Sequence, residues 1–316
     1  MFSVQYLDAL SQKTGFQREG LQKQMTLLTI LKEINQHPLL KTKYILRGGT
    51  AINLLWFPLP RLSVDIDLNY IDSADIEVMK NDREKLEKEI AKLLVAKSIT
   101  VQYLPSEHAG GKWRLRTRSA FGGDFTLELD LNYLMRTPIW GLMKKRPFPL
   151  DEDLIFDCYT VSFEELFAGK IKALLDRSAA RDLYDVAKLS ELVIHYDVQK
   201  LKKNLILFGL TVKSDWRKKT FDTIDGIDQK MIHEQLTPLL RTSERINLPE
   251  MKKKVIYFLT PLMSYDVDEK KFLNRFYDDG EYEPELLFSD TVQSELLRKH
   301  PAVLWKLMNH RKNAGL

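Results

Sequence analysis

Two aspartates, Asp65 and Asp67, are the residues of this chain best suited to chemistry. They lie two positions apart in a run typical of a β-strand, so both carboxylates project from one face. Two carboxylates on one face can share hard divalent cations, and two such cations can orient and neutralise an in-line phosphoryl displacement. The pair predicts a site for Mg²⁺ or Mn²⁺, although a D-x-D run is also common where two acids on a strand simply face water.

A glycine turn, Gly48-Gly49-Thr50, precedes these aspartates. Paired glycines let the backbone approach a triphosphate closely, and the N–H groups that open the next helix suit an anion. Thr50 stands where it could cap a helix over 51–57. The turn therefore predicts that an NTP binds here as substrate, whereas an isolated glycine pair is usually just a turn.

Four elements must hold the glycines and the acids together. The pattern predicts a strand over 44–46, the glycine turn, a short helix over 51–57 and, after a proline-marked loop, the strand with both aspartates. Because the two motifs occur in this order and are joined by one amphipathic helix, an accidental combination is much less expected than for either alone.

The arrangement resembles the polymerase-β-type nucleotidyltransferases. Its glycine turn, short helix and R-L-S-x-D-I-D-L run at 61–68 carry the resemblance, and the run 61–63 is similar to the AbiEii-type nucleotidyltransferase toxins of bacterial toxin–antitoxin systems. The resemblance implies that Ser63 joins Gly48, Gly49 and Thr50 in binding the nucleotide.

A hairpin is predicted from strands over 112–119 and 125–131, joined through a Gly-Gly-Asp turn. Arg114, Arg116 and Arg118 alternate with less polar residues, which places three guanidinium groups on one face. They are either the solvated outer face of a sheet or a basic track for RNA and other phosphates, since arginine matches phosphate oxygens with a rigid fork of donors.

The second hairpin strand carries Glu128 and Asp130 on one face. In polymerase-β-type sites a third carboxylate from a neighbouring strand completes the metal cluster and serves as base for the attacking hydroxyl. The resemblance assigns this catalytic and metal-binding role to Asp130, with Glu128 as the alternative; a third reading leaves both outside the site.

A second distinctive stretch begins at Ser162, where S-F-E-E predicts a helix with a capping box. From spacing alone its polar residues read as an exposed stripe with local ion pairs. The run from Lys170, with Arg177, Arg181, Asp182 and Asp185, however, is similar to the second conserved block of the AbiEii-type toxins. The resemblance implies that Lys170 contacts the triphosphate and Asp185 completes the catalytic site, with Arg177 and Arg181 as further candidate RNA or phosphate contacts. Spacing does not decide between Asp182 and Asp185 as the acid that orients the lysine, and the resemblance favours Asp185.

The predicted fold class is α+β. A polymerase-β-like nucleotidyltransferase domain over residues 1–160, with a mixed sheet and helices, is followed by a mostly α-helical domain over 161–316. The helical domain is expected to contribute lysine and aspartate site residues and an acceptor-binding surface.

The composition sets wide bounds. The 48 Lys and Arg exceed the 44 Asp and Glu by a formal charge of only +4, which is too small to show a nucleic-acid partner. The single Cys158 excludes an internal disulfide framework and fits a reducing compartment. No apolar run is long enough to span a membrane, so a cytoplasmic protein without a membrane partner is expected.

The function that follows is a metal-dependent nucleotidyltransferase toxin. The resemblance implies transfer of nucleotides from NTP to an RNA acceptor, with tRNA as the expected class, growth inhibition, and neutralisation by an AbiEi-type antitoxin. Two alternatives remain: the same chemistry on a small molecule or protein side chain, or a non-enzymatic nucleotide- or RNA-binding module.

Overall fold

The computed structural model describes residues 2–103, 110–192 and 196–314. The chain forms two compact units, each described by itself. The first comprises Met1–Pro138, Leu142–Val161 and Leu236–Arg245, and the second Ile139–Gly141, Ser162–Gln235 and Ile246–Leu316. The functional division at residue 160 stays a prediction.

The first unit is built on a five-stranded mixed sheet with the strand order β1-β2-β5-β4-β3. The central pair, β2 and β5, is parallel and the other pairs are antiparallel. The strands are β1 (Tyr44–Leu46), β2 (Asp65–Tyr70), β3 (Thr100–Tyr103), β4 (Gly110–Arg118) and β5 (Asp124–Asn132). The predicted hairpin is thus β4 and β5, and the predicted aspartate strand is β2.

Helices cover this sheet because each has an apolar face at helical spacing. The helix α2 (Arg18–Gln36) buries a face that includes Leu21, Met25 and Leu28, and it packs against β2 and β5. A side-chain cap from Asp75 opens α4 (Ile76–Ala96), which buries Leu86 and Ile90. The helices of this unit are α1 (Val4–Thr14), α2 (Arg18–Gln36), α3 (Gly48–Ala51), continued by a π-helical turn over Ile52–Trp56, and α4 (Ile76–Ala96).

A second, two-stranded sheet in this unit contains β6 (Leu142–Lys145) and β7 (Cys158–Val161). The Thr160 hydroxyl donates to the Leu46 carbonyl at 2.8 Å, which fastens β7 to β1. Burial raises the pKa of the Cys158 thiol to about 12, as expected for a thiol used only for packing.

The second unit is helical. Its α-helices are α5 (Phe163–Asp176), α6 (Ala180–Ser190), α7 (Val198–Gly209), α8 (Asp222–Asp225), α9 (Gln229–Met231), α10 (Leu248–Leu259), α11 (Val267–Asn274), α12 (Thr291–Arg298) and α13 (Pro301–Ala314). Short 3₁₀ and π-helical turns connect several of them. The α+β class with a helical C-terminal region is confirmed.

The cap of α5 differs from the predicted capping box. The Ser162 hydroxyl accepts the Glu165 N–H at 3.2 Å, as predicted. The Glu165 carboxylate does not return the bond to Ser162; it accepts the N–H groups of Ile139 at 2.9 Å and Trp140 at 3.4 Å. Glu165 therefore fixes a distant segment of the same unit to the first turn of α5.

Candidate active site

Four carboxylates lie side by side on one face of the sheet. In the parallel pair of β2 and β5, Asp65 is opposite Glu128 and Asp67 is opposite Asp130. The alternating neighbours Ile66 and Leu129 are completely buried on the other face. The two predicted metal aspartates and both candidates for the third carboxylate thus share one surface.

The glycine turn meets this surface at Asp67. The backbone N–H of Arg47 donates to the Asp67 carbonyl at 3.0 Å, so the turn is fixed to β2. Gly48 has a φ of +69°, and a Cβ atom there would lie 2.0 Å from Oδ2 of Asp67. Only glycine allows the backbone to pass this close to the carboxylate.

Thr50 is not the helix cap that was predicted. The helix α3 begins at Gly48, two residues earlier, with Arg47 at the capping position and no side-chain cap. Thr50 is completely buried, and its hydroxyl bonds to the Asp65 carbonyl and lies 2.8 Å from the Ser63 hydroxyl. The Ser63 N–H donates to Gln24 at 2.7 Å. These contacts show that both hydroxyls join α3 to β2; a role in nucleotide binding stays a prediction.

Arg47 and Lys112 each approach a carboxylate of β5. Arg47 Nη2 lies 3.4 Å from Oδ1 of Asp130, and Lys112 Nζ lies 3.7 Å from Oε2 of Glu128. Both exceed the usual hydrogen-bond length, so they are ion pairs without a close bond. The Arg47 guanidinium and the Lys112 ammonium group partly neutralise the negative charge of the carboxylates on this face.

The donor chemistry of this surface fits a hard divalent cation, because carboxylate oxygens are its preferred ligands. In the described part of the chain, no three His, Cys, Asp or Glu side chains converge closely enough to enclose a metal ion. Asp65, Asp67 and Asp130 thus have ligand atoms of the type that such a cation prefers, but they do not enclose a site in this arrangement. The Asp130 carboxylate lies beside Arg47.

The three predicted arginines of β4 continue the same face. Arg114 is opposite Glu128, Arg116 is opposite Thr126 and Arg118 is opposite Asp124, and all three are exposed. Arg116 pairs with Asp124 at 2.7 Å. Within residues 2–103, 110–192 and 196–314, Arg114 and Arg118 have no carboxylate within 4.0 Å. A track of guanidinium groups thus leads along β4 toward the carboxylates.

In the second unit, Lys170 lies in a buried cluster and not on an exposed stripe. Its Nζ lies 2.9 Å from carboxylate oxygens of both Asp182 and Asp185. The side chain of Lys170 is 8% exposed, and those of Asp182 and Asp185 are 2% and 1% exposed. The α6 helix thus supplies two acids to one lysine of α5, where the spacing left Asp182 and Asp185 open and the resemblance favoured Asp185.

Arg177 also belongs to this cluster, since its Nε donates to Asp182 at 2.9 Å. Burial disfavours the charged form of Asp182, but the charge of Lys170 and the bond from Arg177 outweigh it and hold the pKa of Asp182 well below its usual range. The side chain of Arg177 is 68% exposed, and its contact with phosphate stays a prediction. Arg181, in the first turn of α6, is half-buried.

A family model for the nucleotidyl transferase AbiEii toxins of type IV toxin–antitoxin systems matches residues 29–308. The chain belongs to the AbiEii toxin family. It is therefore a nucleotidyltransferase, and both distinctive stretches lie inside the matched range.

Similarity to the solved structure of MenT4 supports the fold of this AbiEii family member. MenT4, a nucleotidyltransferase toxin from Mycobacterium tuberculosis, superposes with a TM-score of 0.61 over 94% of this chain and 98% of its own, at 15% identity. JHP933 from Helicobacter pylori gives a TM-score of 0.47 over 78% of this chain and 93% of its own, at 18% identity. A search of curated protein sequences gave no match.

Sequence reasoning missed two basic residues beside the carboxylates of this AbiEii family member, Arg47 and Lys112. Arg47 directly precedes the glycine turn, and Lys112 continues the alternation of Arg114, Arg116 and Arg118, so both had a signal in the sequence. Neither contact could be found before the pairing of β2, β4 and β5 was known.

Proposed function

We propose that this chain is a metal-dependent nucleotidyltransferase toxin that moves a nucleotide from NTP to an RNA acceptor, with tRNA as the acceptor class. Its activity inhibits growth in the cytoplasm and is neutralised by a cognate AbiEi-type antitoxin. Family membership supports the activity and the toxin–antitoxin setting. The metal, the acceptor and the compartment are the proposed parts.

The observation that carries this proposal is the register of β2 against β5. It sets Asp67 beside Asp130 and Asp65 beside Glu128, and Asp67 lies directly against the Gly48 turn. Asp65, Asp67 and Asp130 would hold Mg²⁺ or Mn²⁺, and Glu128 is the alternative third ligand. When bound, the metal supplies Lewis-acid polarisation of the phosphate and neutralises charge on the leaving group.

The chain's own residues contribute position and proton transfer. The backbone at Gly48 and Gly49 approaches the triphosphate, and Asp130 accepts the proton of the attacking hydroxyl. A bond forms from the acceptor oxygen to the α-phosphorus while the bond to the bridging oxygen breaks, so pyrophosphate leaves. This reaction needs alignment and charge neutralisation rather than a covalent nucleophile, which agrees with a chemistry of carboxylates and backbone amides.

Lys170 is proposed to neutralise the departing pyrophosphate, with Asp185 and Asp182 orienting its ammonium group. The support is the buried cluster itself: two carboxylates at 2.9 Å keep a lysine ordered in a fixed direction. Placing Lys170 in contact with phosphate is an assignment by family resemblance.

An RNA acceptor is favoured by the arginine track of β4. Arg114 and Arg118 are exposed on the carboxylate face, and neither has a carboxylate within 4.0 Å in the described chain. Guanidinium groups on the face where transfer occurs suit an acceptor with a phosphate backbone better than a small neutral one.

The test is nucleotide transfer by purified protein and its Asp67→Asn variant. Each is incubated with Mg²⁺, total bacterial RNA and one α-labelled NTP at a time. The wild type is expected to label a tRNA-sized band with at least one NTP, and Asp67→Asn should lose at least about 100-fold in rate because a metal ligand is replaced by a neutral amide of the same shape.

The Glu89→Gln variant removes one carboxylate from α4 and serves as the control with full activity. Equal transfer by wild type and Asp67→Asn would refute the metal assignment. Label on a small molecule or on protein would replace the RNA acceptor while keeping the chemistry, and absence of label from every acceptor would contradict the proposed reaction.

A further inference from the structure

Arg47 stands between the two parts of the proposed site. Its backbone N–H is held by the Asp67 carbonyl at 3.0 Å, and the next residue, Gly48, lies against the Asp67 carboxylate. Its side chain reaches across to Asp130 on β5. A residue with its backbone on the phosphate-binding turn and its charge on the third carboxylate is placed to act on both.

The contact of Arg47 with Asp130 is loose. The Nη2 to Oδ1 distance is 3.4 Å, beyond the normal range for a charge-assisted hydrogen bond. The Nε atom of Arg47 is buried and has no hydrogen-bond partner among the residues that the structure describes. A buried guanidinium donor without a partner costs free energy, so the side chain gains if an acceptor arrives.

A cation at the carboxylates would also change what Arg47 experiences. Before binding, the positive guanidinium is stabilised by Asp130. Once a divalent cation shares Asp130, the two positive charges repel at short range, and a phosphate at the adjoining Gly48 turn, where the triphosphate is proposed to bind, would be an alternative partner for the guanidinium. Because the Arg47 backbone is fixed to β2, the exchange requires only rotation of its side chain.

We infer that Arg47 is a nucleotide-binding residue that exchanges partners, pairing with Asp130 in the empty site and with a phosphate of the NTP once Asp130 binds the metal. This inference rests on the proposed function. It adds to that function a residue that lowers the affinity of the empty site for cations and raises the affinity for the triphosphate.

If Arg47 both competes with the metal for Asp130 and binds the NTP, then Arg47→Ala should change the affinities for metal and for NTP in opposite directions. Without the competing guanidinium, the dissociation constant for Mn²⁺ measured by electron paramagnetic resonance in the absence of nucleotide should fall about threefold. Without the fork of donors, the dissociation constant for NTP measured by equilibrium dialysis should rise about tenfold. All four NTPs are tested, so the measurement does not depend on a known acceptor.

Two further Arg47 variants and a control make the result specific. Arg47→Gln keeps a donor without charge and should resemble Arg47→Ala for Mn²⁺. Arg47→Lys keeps the charge, so its Mn²⁺ affinity should stay within about twofold of wild type while NTP still binds more weakly. Arg18→Ala removes the same charge from a pair with Asp8 in the same unit and should change neither affinity.

Weaker binding of both Mn²⁺ and NTP in folded Arg47→Ala and Arg47→Gln would show that Arg47 merely supports Asp130, and unchanged binding of both would also overturn the inference. Failure of the proposed function looks different: wild type then binds neither ligand, or Asp67→Asn binds both as well as wild type does. Far-ultraviolet circular dichroism establishes that each variant is folded, and Arg47→Lys decides the outcome if the two neutral variants unfold.

Discussion

At the scale of single residues, the contact between Gly48 and Asp67 links conformation to the site most directly. A Cβ at Gly48 would meet the Asp67 carboxylate at 2.0 Å, and the φ of +69° is itself costly for any other residue. We therefore expect Gly48→Ala to displace Asp67, to lower the free energy of unfolding by more than about 2 kcal/mol and to abolish nucleotide transfer.

Gly123 supplies a matched control for this prediction. It has the same φ of +69°, but a Cβ there would meet nothing within 4 Å. Gly123→Ala should lose only the conformational cost of about 1 to 2 kcal/mol and keep its transfer activity. Urea unfolding and labelled-NTP transfer measure both variants; equal losses in the two would mean that the approach to Asp67 has no role of its own.

Residue type alone could not reveal burial. Thr50 was predicted as a cap because threonine follows two glycines, yet the helix already begins at Gly48 and the hydroxyl is used inside the unit. Likewise, the spacing of Lys170, Asp182 and Asp185 is equally consistent with an exposed stripe. The burial of all three depends on the packing of α5 and α6 against each other, which a single sequence does not show.

At the scale of elements, periodicity predicted the strands but not their partners. The two-residue alternation placed Asp65 with Asp67, and Glu128 with Asp130, on common faces. That β2 and β5 are parallel neighbours, in a register that sets Asp67 opposite Asp130, follows from long-range pairing. For this reason the resemblance, and not the spacing, favoured Asp130 as the third carboxylate.

Glu165, in the first turn of α5, should make the free energy of unfolding depend on pH. Burial raises its pKa from 4.5 to about 8, against the opposing effect of the bonds from Ile139 and Trp140. Between about pH 4.5 and 8 the unfolded chain has released this proton while the folded chain keeps it. The contribution of Glu165 to the free energy of unfolding should therefore fall as pH rises, by up to about 1.4 kcal/mol per pH unit.

The variant Glu165→Gln removes this titration but keeps an acceptor for the two N–H groups. The stability of Glu165→Gln relative to wild type should therefore increase from pH 5 to pH 8 in urea unfolding. Glu164→Gln changes the neighbouring, half-buried acid and is the control for loss of a carboxylate in the same turn. A wild-type profile parallel to that of Glu165→Gln would contradict the raised pKa.

At the scale of the whole molecule, the formal charge of +4 does not identify the acceptor. Some basic clusters are neutralised by nearby carboxylates, and others are not. The run 213–219 is basic in sequence, but its Trp216 is completely buried, and Arg217 and Lys219 pair with Asp278 and Asp176. The arginine track of β4, by contrast, is exposed on the face that carries the carboxylates. Separately, no helix in the described chain is long and apolar enough to cross a membrane.

The double variant Arg114→Ala/Arg118→Ala tests whether RNA follows this track. Each arginine that contacts a phosphate releases counterions, so losing two should lower RNA affinity and reduce the slope of log affinity against log salt by about 1.4 to 1.8, the range from a single strand to a duplex. NTP binding should not change. Filter binding of tRNA at several salt concentrations measures the slope. Lys80→Ala/Lys88→Ala removes the same charge from ion pairs on α4 and should leave the slope intact. If both double variants shift the slope equally, RNA responds to net charge and not to the face that carries Asp65 and Asp67.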